Sequence, residues 1–313
     1  MAKKVFIDGK AGTTGLRIYE RLEQFEGIEL ISLDDEKRKD RECRKEALNS
    51  ADIAFLCLPD DAARESVSLI ENDNTVVIDT STAHRTLDDW AYGFPELSAS
   101  HREKLKSSKR IAVPGCHASG FISLVYPLIE AGALDGSENL SCFSLTGYSG
   151  GGKKMIAEYE EEPDELLGAP RQYGLTQNHK HLKEMVKISG LKNAPAFCPI
   201  VSNFYSGMEV TVPVFKADLK NGFDIEKIKE VYKAKYNGPI VNYCDNLNEE
   251  GFLSSAYLSG MDNMIVSVFG NDDRIILTAR YDNLGKGASG AAVECLNIVL
   301  GNDDTTGLEI KKV

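Results

Sequence analysis

The sequence predicts an α/β protein, a Rossmann-like, doubly wound parallel sheet followed by an α+β domain. Three features carry that expectation. Short apolar strands alternate with helix-spaced segments over the first 115 residues, the βαβ rhythm of a parallel sheet. A glycine-rich turn stands between the first strand and the first helix. Beyond Asn139 the texture changes to longer apolar runs that alternate like antiparallel strands.

In chain order, residues 4–7 read as a strand, 8–15 as a glycine-rich turn, and 16–25 as a helix with Leu16, Tyr19 and Leu22 at helical spacing. Residues 28–33 form a second strand, and the charged stretch 34–46 suits a solvated loop or helix. An apolar strand over 51–58 ends at Pro59, a helix spans 62–70, and a fourth strand spans 75–79. Residues 110–113 run as a strand into Pro114-Gly115-Cys116, with 118–129 helical beyond. The second half offers strands at 140–146, 208–215, 264–269 and 275–281, with a helix at 225–236. A glycine-rich segment, 285–290, opens a final apolar helix at 291–300.

The chain has 313 residues, 42% apolar and 27% charged, which excludes wholesale disorder and leaves room for two cores. Its 36 Lys+Arg against 48 Asp+Glu give a formal charge of −12, so a nucleic-acid partner is not expected. No apolar run approaches the roughly 20 residues that span a bilayer, and the first residues carry no secretory pattern. The expectation is a soluble, cytoplasmic protein without a membrane partner. The seven cysteines, at 43, 57, 116, 142, 198, 244 and 295, are odd in number, scattered, and form no C-x-x-C pair. Neither a metal site nor a thioredoxin-type motif is expected, and most of these thiols should be small buried apolar residues.

Gly9-Lys10-Ala11-Gly12-Thr13-Thr14-Gly15 follows the first strand and starts the first helix. Glycines three apart let the backbone turn tightly and approach a pyrophosphate held by N–H groups of the helix start. An ordinary βα turn would use the same residues, but the strand–turn–helix context favours a dinucleotide. After the second strand, Asp34 or Asp35 suits a ribose diol, whereas Ser32 with Lys37 or Arg38 suits a 2′-phosphate. These residues leave the choice of nicotinamide open.

In Pro114-Gly115-Cys116-His117-Ala118-Ser119-Gly120 a strand hands over to a helix at Cys116. Helix-start N–H groups favour a thiolate there and could hold an oxyanion. The adjacent His117 is assigned to packing or solvent, because neighbouring helical residues diverge. Gln177-Asn178-His179-Lys180-His181-Leu182-Lys183-Glu184 supplies a base: on a helix, Glu184 could orient His181. His179 remains the other candidate, and His84 and His101 read as structural or surface residues. Thr80-Ser81-Thr82-Ala83-His84-Arg85 and Gly147-Tyr148-Ser149-Gly150-Gly151-Gly152-Lys153 combine donors with a cation, as a cradle for phosphate or carboxylate would.

These motifs, with Tyr92-Gly93-Phe94-Pro95-Glu96-Leu97 and Asp282-Asn283-Leu284-Gly285-Lys286-Gly287-Ala288, occur in the order found in N-acetyl-γ-glutamyl-phosphate reductases. The chain resembles the shorter form of that family over essentially its whole length. The resemblance implies an NADP(H)-binding Rossmann-like domain over 1–115 and 286–313. It also implies an α+β catalytic and oligomerisation domain of the semialdehyde-dehydrogenase type over 116–285. The implied reaction is NADPH-dependent reductive dephosphorylation of N-acetyl-L-glutamyl 5-phosphate to the semialdehyde, within arginine biosynthesis. Cys116 is then the nucleophile, His181 the acid/base and Glu184 its support. Gly9, Gly12, Thr13, Thr14, Gly15, Ser32, Arg38, Ser81, Asn283, Gly285 and Lys286 fall to the cofactor. Arg85, Ser149, Lys153 and His179 fall to the acyl phosphate substrate and the phosphate released. No metal is implied, and a homodimer or homotetramer is. His117 departs from the tyrosine usual in that family, and His84 from an aromatic residue. An aspartate-semialdehyde dehydrogenase would use the same residues on a shorter acyl phosphate. A non-catalytic NADPH-binding redox sensor would use Cys116 without turnover, and a thiol acyltransferase or hydrolase would use it without nicotinamide.

Overall fold

Hydrogen-bonded βαβ units account for the first third of the chain. The structure, a computed structural model, describes residues 2–34, 36–161 and 164–313. The first of its two units comprises the residues up to Pro114 together with Ala288–Leu308. Its elements are β1 (Lys3–Asp8), α1 (Thr13–Leu22), β2 (Ile28–Ile31), α2 (Arg41–Ser50), β3 (Ile53–Leu56) and α3 (Asp60–Ser68). They continue with β4 (Val76–Asp79), β5 (Ala91–Tyr92), α4 (Ala99–Ser107) and β6 (Arg110–Ala112). All strands are parallel, in the order β2-β1-β3-β4-β6-β5. β3 and β4 are buried along their whole length, as strands covered on both faces must be. Val5, Ile7, Ile53, Phe55 and Ile78 face one core with Ile18 and Leu22 of α1 and Ala292, Cys295 and Leu296 of the last helix. Phe6, Ala54, Leu56 and Val77 point the other way, onto Ala47, Leu48 and Ala63. Each Val, Leu, Ile or Phe among them contributes about 1.5–3 kcal/mol on burial. The strand order reverses between β1 and β3, the point where such sheets open a crevice at their carboxyl ends.

Most boundaries shift by one to three residues from the sequence reading, and two of the differences have a clear cause. α1 begins at Thr13, with Gly12 as an extended N-cap, and buries Gly15, Ile18 and Leu22. Leu16 is left 43% exposed, because Gly15 and Ile18 take the buried positions one residue earlier, while Leu22 is buried as its spacing predicts. The charged stretch after β2 divides into a turn and a helix: the Asp40 carboxylate accepts the Cys43 N–H at 2.8 Å and so starts α2.

The second unit comprises Gly115–Gly287 and Glu309–Val313. It begins with α5 (Cys116–Glu130), β7 (Ser141–Gly147), α6 (Gly152–Glu160), β8 (Arg171–Gln172), α7 (His181–Ser189) and β9 (Ala196–Ser202). It continues with β10 (Met208–Phe215), α8 (Ile225–Lys235), β11 (Val241–Tyr243), β12 (Met264–Gly270) and β13 (Arg274–Tyr281). A π-helical turn, Gly285–Ser289, leads into α9 (Gly290–Leu300), which belongs to the first unit. The sheet runs β11-β12-β13-β10-β7-β9-β8. The expected antiparallel pairing holds for β12–β13, β13–β10 and β10–β7, but β7–β9 and β11–β12 are parallel. The sheet is therefore mixed: the chain from β7 to β9 passes through two helices, the kind of crossover that parallel strands require.

α5 lies on one face of this sheet and is buried along most of its length. Gly120 allows the approach, since a Cβ there would stand 2.6 Å from Val210 Cγ2. Pro127 inside the helix has no N–H for the Ser123 carbonyl, and the Tyr236 hydroxyl donates to that carbonyl at 2.8 Å instead.

Candidate active site

In the first unit, Gly9, with φ +91°, turns the chain sharply after β1, and a Cβ there would lie 2.3 Å from the Cys57 carbonyl oxygen. A Cβ at Gly15 would lie 2.5 Å from the Gly9 carbonyl oxygen, and the Gly12 N–H donates to that same oxygen at 3.0 Å. The glycine spacing thus brings the loop back over the start of α1. Thr13, the first residue of α1, keeps a buried Oγ1 with no hydrogen-bond partner among the described residues. A cleft of about 770 Å³ opens here, lined by Gly9, Lys10, Ser32, Arg38, Lys39 and Arg44 among others. A backbone cradle, an orphaned hydroxyl and a cationic end fit the pyrophosphate and 2′-phosphate of NADP(H).

Of the residues proposed for the ribose end, Ser32 and Arg38 line the cleft. Asp34 and Lys37 are exposed and do not, and Asp35 lies outside the described residues. Sequence reasoning missed Lys39 and Arg44. Arg44 carries two hydrogen bonds to Asp8 Oδ2, at 3.1 and 3.0 Å, so the end of β1 is braced from α2. Nothing in the local spacing signals that pairing, which joins residues 36 positions apart.

Ser81, His84 and Arg85 belong to the same unit. Asp79, at the end of β4, accepts from Ser81 Oγ at 2.7 Å and meets His84 Nδ1 at 2.6 Å. The His84 ring stacks on Trp90 at 4.0 Å, a structural part in agreement with the sequence reading. Arg85 donates to the carbonyls of Val113 and Thr80, each at 2.8 Å, bracing the turn it belongs to.

In the second unit, Cys116 is the first residue of α5, half-buried, with Gly115 as an extended N-cap. Its sulfur therefore sits where the helix dipole and amides favour negative charge. The Tyr281 hydroxyl donates to the Cys116 carbonyl at 2.5 Å and accepts from the Gly120 N–H at 3.1 Å. A Cβ on Gly287 would come within 3.0 Å of Cys116 Cβ, so only glycine fits there without displacing the cysteine.

α7 starts at His181, and Glu184 on the same helix accepts the Gly115 N–H at 2.8 Å. Both side chains are buried. The His179 and His181 rings lie 4.7 Å apart edge to face, and the His117 ring lies 5.7 and 5.6 Å from them. Burial lowers the pKa of His179.

The other cysteines contrast with this setting. Of the seven, Cys142 and Cys295 are fully buried, fewer than expected, and the others are partly exposed. Burial pushes Cys57 up to about 12 and also raises Cys142 and Cys244, while the Asp40 carboxylate raises Cys43.

The loops of this unit hold the remaining candidates. Asn283 donates to Ser149 Oγ at 3.0 Å and accepts the Gly207 N–H at 2.9 Å. Asp282 accepts the N–H groups of Leu284 and Gly285, at 2.7 and 2.9 Å, fixing the turn that precedes Lys286. Lys286 is buried, whereas Lys153 is exposed on α6. Ser202, at the end of β9 opposite Gly147, keeps a buried hydroxyl with no partner among the described residues. The sequence carried no signal for it. Chemically, the second unit offers a thiol at a helix start, amides for an oxyanion, and a cluster of imidazoles beside them.

Comparison with known proteins agrees with these features. A profile described as semialdehyde dehydrogenase, dimerisation domain, matches residues 116–283, and one described as semialdehyde dehydrogenase, NAD binding domain, matches 32–107. N-acetyl-gamma-glutamyl-phosphate reductase 2 of Nostoc sp. is 44% identical over 97% of this chain and 99% of its own length. The chain belongs to the N-acetyl-gamma-glutamyl-phosphate reductase family. The reductase of Brucella ovis is 43% identical over 96% of this chain and its whole length.

Family membership is matched in the fold. Aspartate semialdehyde dehydrogenase II of Vibrio cholerae superposes with a TM-score of 0.73 at 17% identity, covering 96% of this chain and 99% of that one. The Candida albicans aspartate semialdehyde dehydrogenase with NADP gives 0.69 at 14%, with coverage of 96% and 99%. Among the described residues of this reductase-family chain, no helix is long and apolar enough to cross a membrane.

Proposed function

We propose that the protein reduces N-acetyl-L-glutamyl 5-phosphate to N-acetyl-L-glutamate 5-semialdehyde with NADPH, releasing phosphate, as a step of arginine biosynthesis. The reading rests on the family and on one observation above all: Cys116 opens α5 at a turn whose Gly115 N–H is held by Glu184.

In this mechanism the Cys116 thiolate attacks the acyl phosphate, a C–S bond forms, and the C–O bond to phosphate breaks. Amides of the α5 start hold the oxyanion. The thioester formed on Cys116 is uncharged and far more electrophilic than a carboxylate. Bound NADPH supplies the hydride. Hydride addition to the thioester gives a thiohemiacetal, whose oxygen His181 protonates. His181 takes that proton back as the carbonyl re-forms, the C–S bond breaks and Cys116 leaves as the thiolate, with His179 contacting the substrate beside it. Gly9, Gly12, Thr13, Thr14 and Gly15 hold the pyrophosphate, Ser32 and Arg38 hold the 2′-phosphate, and Ser81, Asn283, Gly285 and Lys286 complete the cofactor's surroundings. Arg85, Ser149 and Lys153 bind the substrate anions.

The dinucleotide-binding domain is taken as 1–115 and 286–313 and the catalytic domain as 116–285; the last five residues, Glu309–Val313, fall in the second compact unit instead. A second copy of the chain packs on the outer face of the mixed sheet, giving a homodimer or a homotetramer. Phe143, Phe215 and Ile276 stand exposed on neighbouring strands of that face, at 42%, 55% and 40%.

The test runs the reaction in reverse. Protein, N-acetylglutamate semialdehyde, NADP and phosphate should generate reduced nicotinamide only when phosphate is present, and faster than with aspartate semialdehyde. Cys116→Ser should retain NADPH binding and lose turnover. NADPH binding without turnover on either aldehyde would return the redox-sensor reading.

A further inference from the structure

His117, the residue after the proposed nucleophile, has a hydrogen-bond partner at each ring nitrogen. Its Nδ1 meets Ser144 Oγ of β7 at 2.7 Å, and its Nε2 meets the Tyr173 hydroxyl at 2.6 Å. The ring is buried, edge-on to Phe197 at 5.3 Å and beside His179 and His181. An uncharged imidazole has one donor and one acceptor nitrogen, so the two hydroxyls bonded to it cannot both play the same part.

We propose that His117 is a positioning residue of the reaction: it accepts a hydrogen bond from Ser144, donates to the Tyr173 oxygen, and so leaves the phenolic proton directed at the charge that develops on Cys116. The proposal rests on the reading of Cys116 as nucleophile. No bond is made or broken at Tyr173 or His117, and the phenol keeps its proton throughout.

Three further observations fix the state and place of the two groups. Burial, with His179 adding to it, lowers His117 to about 3, so the ring is uncharged at any working pH. Burial and the negative charge of Cys116 raise the Tyr173 phenol, so it stays protonated and feels the sulfur. The Tyr173 backbone N–H is fixed to the Pro199 carbonyl at 3.0 Å, which anchors the residue beside β9. The ionisable groups facing this cluster are Cys116 and His117 on α5, His179, Lys180, His181 and Glu184 on and before α7, and Tyr281 on β13.

The experiment uses the whole enzyme with His117→Asn, His117→Gln and Tyr173→Phe, beside Cys116→Ser. The Gln amide reaches the place of ring Nε2 and can still donate to Tyr173, whereas the Asn amide reaches only the place of Nδ1. Two readouts are taken: kcat and KM for phosphate-dependent semialdehyde oxidation, and the pH midpoint of Cys116 alkylation by iodoacetamide, which needs no substrate. Tyr173→Phe and His117→Asn should each lower kcat about tenfold with KM within about twofold, as loss of one hydrogen bond to a charged group predicts. Both should move the alkylation midpoint upward by about half a pH unit or more. His117→Gln should recover most of both values.

Equal behaviour of the Asn and Gln variants would overturn the proposal, because a packing role does not distinguish them. An unchanged midpoint and kcat in Tyr173→Phe would overturn it even if a His117 variant failed to fold. Turnover by Cys116→Ser would instead overturn the nucleophile reading, a separate result.

Discussion

The Glu184 carboxylate accepts the Gly115 N–H at 2.8 Å, joining residues 69 positions apart and tying α7 to the turn that presents Cys116. The acid fixes the backbone from which the sulfur projects. Glu184→Ala leaves a buried N–H without its acceptor and should cost about 1–3 kcal/mol of stability. Glu184→Gln, which keeps an acceptor oxygen, should cost less. Urea unfolding checks the order, and both variants should lower kcat more than they raise KM.

The glycine loop makes a steric prediction. Gly9→Ala places a Cβ 2.3 Å from a carbonyl oxygen at a positive φ, so it should destabilise the fold by roughly 1–3 kcal/mol and abolish NADPH binding. Gly12→Ala meets nothing closer than 3.5 Å and should spare the fold. Thermal melting and a fluorescence titration with NADPH separate the two effects.

Arg38 lines the cleft while Asp34 does not, which favours a phosphate over a ribose diol at that end. Arg38→Ala should weaken NADPH binding by about 10-fold or more, the worth of a charge-assisted contact, and leave NADH almost unchanged. Equal losses for both cofactors would place Arg38 elsewhere.

His117 also predicts an acid limb of stability. Its ring titrates at about 3 in the folded protein, against 6.5 when unperturbed. The unfolded chain therefore binds this proton first as pH falls. Stability is complete above pH 6.5 and declines between there and about 3, by about 1.4 kcal/mol per pH unit for this group. His179, lowered by burial, acts in the same direction. In His117→Gln the unfolding free energy should fall less steeply between pH 6 and 4, measured by urea titration at each pH.

The exposed apolar face of the mixed sheet predicts association. Phe143→Glu should lower the mass measured by light scattering on a sizing column, whereas Phe252→Glu, at a residue 77% exposed in the loop between β11 and β12, should not.

Much of this was legible in order along the chain. Gly9 and Gly15 declared the cradle because a backbone that must approach itself tolerates no Cβ there, and that constraint is written locally. Pro114 and Gly115 declared the turn before Cys116, since that pair punctuates a strand. The parallel sheet followed from strand and helix periodicity, and the ordered motifs carried the family.

What the sequence left out is non-local. The parallel β7–β9 pair was hidden because alternation reveals which residues face inward but not which neighbour a strand will join. Leu16 has the spacing of a buried residue and stands at the cleft instead, since the sheet, not the helix, selects the buried stripe. Arg44 bonded to Asp8, Glu184 to Gly115, and His117 held between Ser144 and Tyr173 join residues dozens of positions apart. Local chemistry names the thiol, the imidazoles and the glycines. Only the folded backbone decides which hydroxyl, carboxylate or amide completes each of them, because a hydrogen bond depends on ångström distances that sequence separation does not encode.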